Sequence, residues 1–265
     1  MSFLLAASLL AQAAGSAPPP ADLVDIVDAM AEERGDLTPV LVLGTSHLSS
    51  LPKDFPTERF DPLLDELEEW APEAIAIEGI EGVQCDNLRM FDPGNANSYC
   101  PDPEPARAAL GVSARDAQFE VMDLLAKPAD QRTIAERRRL VGLFLAIGEP
   151  ESALVQWLRL PEAERAAGDD LPAELVAYLE KYDTRLNENV VIAVRLAVRL
   201  GLDRVDRVDD QMSGSDPKDP EAYGPEISAI WDNAPTKQRL AEYEEWDAAM
   251  EDGSMPILEW YRRYN

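Results

Sequence analysis

Apolar positions along the chain follow two spacings. Two short continuous runs, Pro39-Val40-Leu41-Val42-Leu43 and Ala74-Ile75-Ala76-Ile77-Glu78, have the unbroken character of strands buried on both faces. Val205 and Val208 mark a third strand ending at Asp209-Asp210. Elsewhere the spacing is helical. Asp22 to Arg34 places Leu23, Ile26, Val27 and Met30 on one side, with Gly35 as its stop. Phe60 to Trp70 turns Leu63, Leu64 and Leu67 inward and is broken by Pro72. Ser113 to Lys181 reads as a series of helices parted by Pro128, Pro150, Pro161 and Pro172, with a turn at Gly168-Asp169-Asp170. A further helix over about Glu188 to Leu200 puts Val190, Val191, Val194 and Val198 inside, and Gly201 follows its end. Gln238 to Met250 and Pro256 to Tyr264 close the chain as helices.

Strand, helix and strand between Pro39 and Glu78 predict a βαβ unit with parallel strands. The expected fold class is therefore α/β: a short, mostly parallel sheet with a large helical portion. Residues 18–265 are expected to form one domain with a helical insertion at about 113–181. Gly79 to Pro105 reads as a long irregular stretch, and Ser213 to Pro225 as a loop. Loops as long as the first are uncommon unless they are functional or tied down, so it is a candidate cover for a site.

The first residues change the picture of where the chain works. Phe3 to Ala11 is a short apolar run followed by small residues, and Ala11-Gln12-Ala13 fits a signal cleavage pattern, although no Lys or Arg precedes the run. Residues 1–17 are thus expected to be an export signal, and the protein periplasmic or secreted. No later stretch is apolar for long enough to cross a bilayer, so no stable membrane insertion is expected once the signal is removed. In an oxidising compartment Cys85 and Cys100 are expected to form a disulfide. They have neither Cys-x-x-Cys spacing nor a neighbouring histidine, which argues against a cysteine zinc site.

Acidic residues outnumber basic ones by 51 to 24, and the formal charge of the 265 residues is −27. Phosphate neutralisation needs clustered Lys and Arg, so nucleic acid is excluded as a partner, and an anionic membrane surface would be repelled. The expected partner is a small molecule or peptide. The same charge also reads simply as a solvated acidic surface.

His47 is the single histidine. It lies just past the first apolar run, and Glu78 ends the second. In a parallel sheet the ligand crevice lies outside the carboxyl ends of the strands, so His47, Glu78 and the strand-ending Asp209 are expected at one rim. A histidine and a carboxylate there suit a general base with an orienting acid, or a divalent metal (Mn, Mg or Zn). Gly44 permits close backbone approach, and Thr45 and Ser46 offer hydroxyls. A lone histidine is also commonly a hydrogen-bonded structural residue, and Asp209-Asp210 equally suits a strand end and cap.

Val42-Leu43-Gly44-Thr45-Ser46-His47 resembles the GxxH motif that opens the TraB/GumN and TIKI group, which is distantly similar to erythromycin esterase and ChaN-like proteins. Pro72-Glu73-Ala74-Ile75-Ala76-Ile77-Glu78 resembles that group's next strand, which ends in a functional glutamate. Asn187-Glu188, Arg195-Leu196-Ala197 and Leu200-Gly201 resemble an uncharacterised bacterial branch, in which this helix leads to a strand ending in Asp, here Asp206 or Asp209. The likeness covers Pro39 to Asp210 in three separated blocks. It implies metal-dependent hydrolysis of a peptide or ester bond with His47 and Glu78 in the working positions. The group usually carries a second GxxH near its C-terminus. With one histidine in the chain, the resemblance implies either a continuation past Asn265 or loss of that ligand. Loss would leave a binding scaffold without the chemistry.

Overall fold

In the computed structural model of the chain, the described residues are 28, 30, 38–168, 171–210 and 220–265. The export signal, most of the helix expected over Asp22 to Arg34, and the Asp169-Asp170 turn lie outside them; Asp28 and Met30 are helical. The chain divides into Met1–Leu43 and Gly44–Asn265.

Among the described residues of the first unit, Pro39 to Leu43 is not a strand. Val40 and Val42 are 78% and 84% exposed. Continuous apolarity sets no period and names no partner strand. The parallel pairing observed, over Ala76–Ile80 and Asp206–Asp209, leaves this run unpaired, so the βαβ unit expected to start here does not form.

The second unit is α/β, dominated by helices. Its elements are α1 (Asp61–Trp70), β1 (Ala76–Ile80), α2 (Gly82–Phe91), α3 (Pro93–Tyr99), α4 (Glu104–Leu110), α5 (Ala114–Ala126), α6 (Ile134–Ala146), α7 (Pro150–Leu158), α8 (Ala173–Asp183), α9 (Arg195–Leu200), β2 (Asp206–Asp209), α10 (Pro220–Trp231), α11 (Ala234–Asp252) and α12 (Ile257–Tyr264). A π-helical segment, Asn189–Val194, runs directly into α9. The sheet is the parallel pair β1–β2, with Ala76 opposite Asp206 and Ile80 opposite Asp209. The strands end at the same edge, as parallel strands joined by a long helical crossover must.

Helix α6 is the centre of the core. Thr133 and Glu136 close a capping box at its start, and Leu140, Val141, Leu143 and Phe144 are fully buried. Buried polar residues of α7 secure β2: Ser152 Oγ donates to Val205 O at 3.0 Å, and Gln156 Nε2 donates to Asp203 O at 2.5 Å. Their spacing of four puts both on one helix face. Arg132 and Arg159 pair with the Asp203 carboxylate, so the turn entering β2 is held from two sides.

Gly79 to Pro105 is largely helical rather than irregular. The prolines that suggest a loop in the sequence stand at helix starts. Asp92 caps α3 by accepting from Asn95 N, and Pro93 occupies the first turn, where a missing N–H costs nothing. Cys85 and Cys100 form the expected disulfide, which joins α2 to the end of α3 around a small cluster of Ile80, Leu88 and Ala96. Pro220 to Pro225, expected within a loop, belongs to α10. No helix among the described residues is long and apolar enough to cross a membrane.

Candidate functional site

His47 is placed by the apolar residues that follow it. Leu48, Leu51 and Phe55 are buried, and Leu48–Ser50 makes one 3-10 turn. Ser50 closes that turn, its N–H and Oγ both donating to His47 O, at 3.2 and 2.8 Å. The backbone is anchored while the imidazole stays outside, its side chain 75% exposed.

The partner of the ring is Glu188. His47 Nδ1 stands 2.9 Å from Glu188 Oε1, and Glu188 Oε2 accepts from Leu48 N at 3.2 Å. The carboxylate is itself sheltered, with 11% of its side chain exposed. One glutamate thus grips the ring and the adjacent backbone, which fixes the ring's orientation and favours the tautomer protonated at Nδ1. Glu188 stands at the entrance of the π-helical segment, where Asn187 O accepts from both Val190 N and Val191 N. Asn187 Oδ1 also accepts from Asn189 N at 2.9 Å. Single-turn π segments are rare and gather at functional sites.

Glu78 belongs to the same neighbourhood in a different role. Its charge adds to the rise in the His47 pKa, after the hydrogen bond and charge of Glu188, which are the larger causes; slight burial works the other way. Its carbonyl accepts from Asn189 Nδ2 at 2.8 Å, which ties β1 to the π segment. Of the carboxylates singled out in the sequence, Glu188 rather than Glu78 contacts the ring. Asp209 ends β2 at the same sheet edge as Ile80. Arg195 instead pairs with Asp183 at 2.6 Å, joining α9 to α8.

Gly44 and Ser46 are bound by the last helix. Asn265 Oδ1 accepts from Gly44 N at 2.6 Å, and Asn265 Nδ2 donates to Gly44 O at 3.1 Å. A Cβ on Gly44 would lie 3.0 Å from Asn265 Oδ1, so the close approach expected of this glycine is to another part of the chain. Tyr264 bonds Ser46 and also donates to Asp247 Oδ1 at 2.7 Å; burial and then Asp247 push its phenol up to about 12. Trp260 Nε1 donates to the same Asp247 oxygen at 2.9 Å. Thr45 is exposed.

A cleft of about 200 Å³ opens beside the ring, between the Ser46–Leu51 segment and Asp247, Met250, Glu251 and Trp260. No residue of the Gly79–Pro105 stretch lines it, so the cover expected there is not supplied by that stretch. Sequence reasoning missed the aromatic and acidic wall from α11 and α12; the Trp260-Tyr261-x-x-Tyr264 pattern was its only signal. Below it, Tyr261 is 2% exposed and its hydroxyl lacks a hydrogen-bond partner. Burial, then the charge of Glu188, drive that phenol's pKa upward.

A catalytic zinc takes three protein ligands rich in His or Cys. Among the described residues no three His, Cys, Asp or Glu side chains are gathered in a way that could hold a metal ion, and Nδ1 of His47 is already engaged by Glu188. The donor set of His47, Glu78 and Asp209 therefore does not fit a Zn, Mn or Mg cofactor. The chain matches no family model, no curated protein and no solved structure.

Proposed function

We propose that the protein is a hydrolase-like enzyme in which His47, oriented by Glu188, takes a proton from water as it attacks a peptide or ester carbonyl. The observation that carries this reading is the 2.9 Å contact between His47 Nδ1 and a carboxylate whose second oxygen is held by Leu48 N. With Nδ1 committed, Nε2 is left to accept the proton, and Glu188 stabilises the imidazolium that results; Nε2–H then returns the proton to the leaving alcohol or amine as its C–O or C–N bond breaks. The cleft beside the ring offers a place for substrate. The Gly44–His47 and Pro72–Glu78 segments, similar to the TraB/GumN and TIKI group, support the hydrolytic class. The reading needs no metal. The disulfide suits an oxidising compartment, and with the signal-like N-terminus it supports an exported protein.

The test is hydrolysis of a panel of chromogenic esters and fluorogenic peptides by wild type, His47→Ala and Glu188→Gln, with and without a chelator. A positioned general base contributes roughly 10²–10⁴-fold, so His47→Ala should lose activity on that scale and the chelator should change nothing. Equal rates in wild type and His47→Ala would refute the reading.

A second reading, a binding scaffold that keeps the fold without turnover, draws on the 75% exposure of the His47 side chain. It expects no hydrolysis of any substrate in the panel.

A further inference from the structure

A second concavity of about 380 Å³ lies apart from His47. It is formed where the segment after Cys100 meets the ends of α6 and α8. Its wall is apolar: Pro101, Pro105, Ala106, Leu145 and Leu175. Its polar groups are Asp102, Glu174 and Tyr178, and no Lys or Arg lines it. Glu174 and Tyr178 are four residues apart on α8 and so share one face.

Every feature of this lining favours the same kind of guest. The volume is within the range of small-molecule sites, which are mostly apolar with a few convergent polar groups. The polar groups are two carboxylates and a phenol. Asp102 is fixed in place, accepting from Glu104 N at 3.0 Å. The Tyr178 ring lies 5.7 Å from that of Tyr182, and its face can attract a cation. Burial raises the Tyr178 phenol's pKa, so the ring stays neutral. Glu151, next to Pro150 in sequence, is 2% exposed, and its charge is answered inside the fold: Oε1 accepts from the Tyr182 hydroxyl at 2.8 Å and Oε2 lies 3.5 Å from Arg207 Nε. An anion would meet the like charge of Asp102 and Glu174. A neutral apolar molecule would leave both carboxylates unused.

The wall is also built before any ligand arrives. Cys100, bridged to Cys85, immediately precedes Pro101 and Asp102. Arg89 donates to Pro101 O. Arg107 joins Asp86 at 2.7 Å, Glu104 at 2.9 Å and Ala146 O at 2.8 Å, which locks α2, α4 and α6 around the rim. A preformed pocket loses less entropy on binding.

We infer that this concavity binds a small organic cation, a protonated primary amine on an apolar stem, with the ammonium between Asp102, Glu174 and the Tyr178 ring and the stem against the prolines and leucines. The inference is independent of hydrolysis at His47.

Calorimetric titration of the full, disulfide-bonded protein with three probes of one shape tests it: phenethylamine, 2-phenylethanol and 3-phenylpropionate. The amine should bind at least about tenfold more tightly than the alcohol, a difference of about 1.4 kcal/mol, and the carboxylate should not bind. Raising the salt to about 1 M should weaken the amine alone. In Asp102→Asn/Glu174→Gln the amine should fall to the level of the alcohol, whereas His47→Ala should bind as wild type does. Equal affinity for amine and alcohol, or no binding of the amine at millimolar concentration, would overturn the inference without any variant having to fold. Loss of amine binding in His47→Ala would also overturn it, by placing the amine in the other cleft.

Discussion

Replacing Glu149 with glutamine should stabilise the protein above neutral pH and leave it almost unchanged in acid. Glu149 sits between α6 and α7, and its backbone N–H donates to Phe144 O at 2.8 Å. Burial is the main reason its carboxyl is pushed up, from 4.5 to about 7; the Glu81 and Glu151 charges add to the rise, and Arg207 and Arg204 oppose it. The folded protein therefore holds this proton more tightly than the unfolded chain does. The stability this provides is fully present below about pH 4.5 and is lost as the pH rises through about 7. The gap is about 2.5 pH units, and at 1.36 kcal/mol per unit the loss is about 3 kcal/mol as a ceiling. Glutamine has the shape of the protonated acid and never ionises. For a chain of this size about 3 kcal/mol corresponds to roughly 6–12 °C in Tm. Melts of wild type and Glu149→Gln at pH 4.5 and pH 8 should differ by up to that amount at pH 8 and by little at pH 4.5. An equal shift at both pH values, or none at pH 8, would show that ionisation of Glu149 does not limit stability.

Two further outcomes follow from distances already given. Because His47 is the single histidine, its ring signals can be titrated by NMR without assignment. The wild-type pKa should lie above the ordinary 6.5, and in Glu188→Gln it should drop towards that value, with any remaining rise due to Glu78; the ion pair's stabilisation is present below pH 6.5 and fades as the pH passes the raised value. A Cβ on Gly82 would lie 1.8 Å from Ile147 O, a backbone atom that no rotamer change can move aside. Gly82→Ala should therefore cost about 1–3 kcal/mol or more in a urea titration, and a neutral result would mean that the start of α2 and the residue that caps α6 are more loosely apposed than the distance implies.

Periodicity made the helices legible because it reports one buried stripe. Leu63, Leu64 and Leu67 on α1 are buried as expected, as are Val190, Val191 and Val194. The second and third strands were legible one by one, from Ala74 to Glu78 and from Val205 and Val208, but the parallel partner expected for the second was Pro39 to Leu43, and the pair that forms is β1 with β2. Pro39 to Leu43 misled for the reason that β1 did not: apolarity alone does not supply a partner strand. The site was half legible. The strand-end argument set His47 beside Glu78 by way of a strand, Pro39 to Leu43, that does not form, and it was silent about Glu188, which is 141 residues from His47 and sits on a helix. In the sequence Glu188 stands out only through the Asn187-Glu188 dipeptide. Which carboxylate faces a given ring is set here by the meeting of Glu188 with Leu48 N, and that depends on tertiary fit.

The side-chain amide of Asn265 touches Gly44 as a neighbouring strand would, reading both its N–H and its C=O across 221 positions of sequence. Any fraying of the last helix must therefore slacken the backbone three residues before His47. The exchange rate of the Gly44 amide proton becomes a gauge of that fraying. Slow exchange marks an intact last turn bonded to Gly44, and fast exchange marks its release.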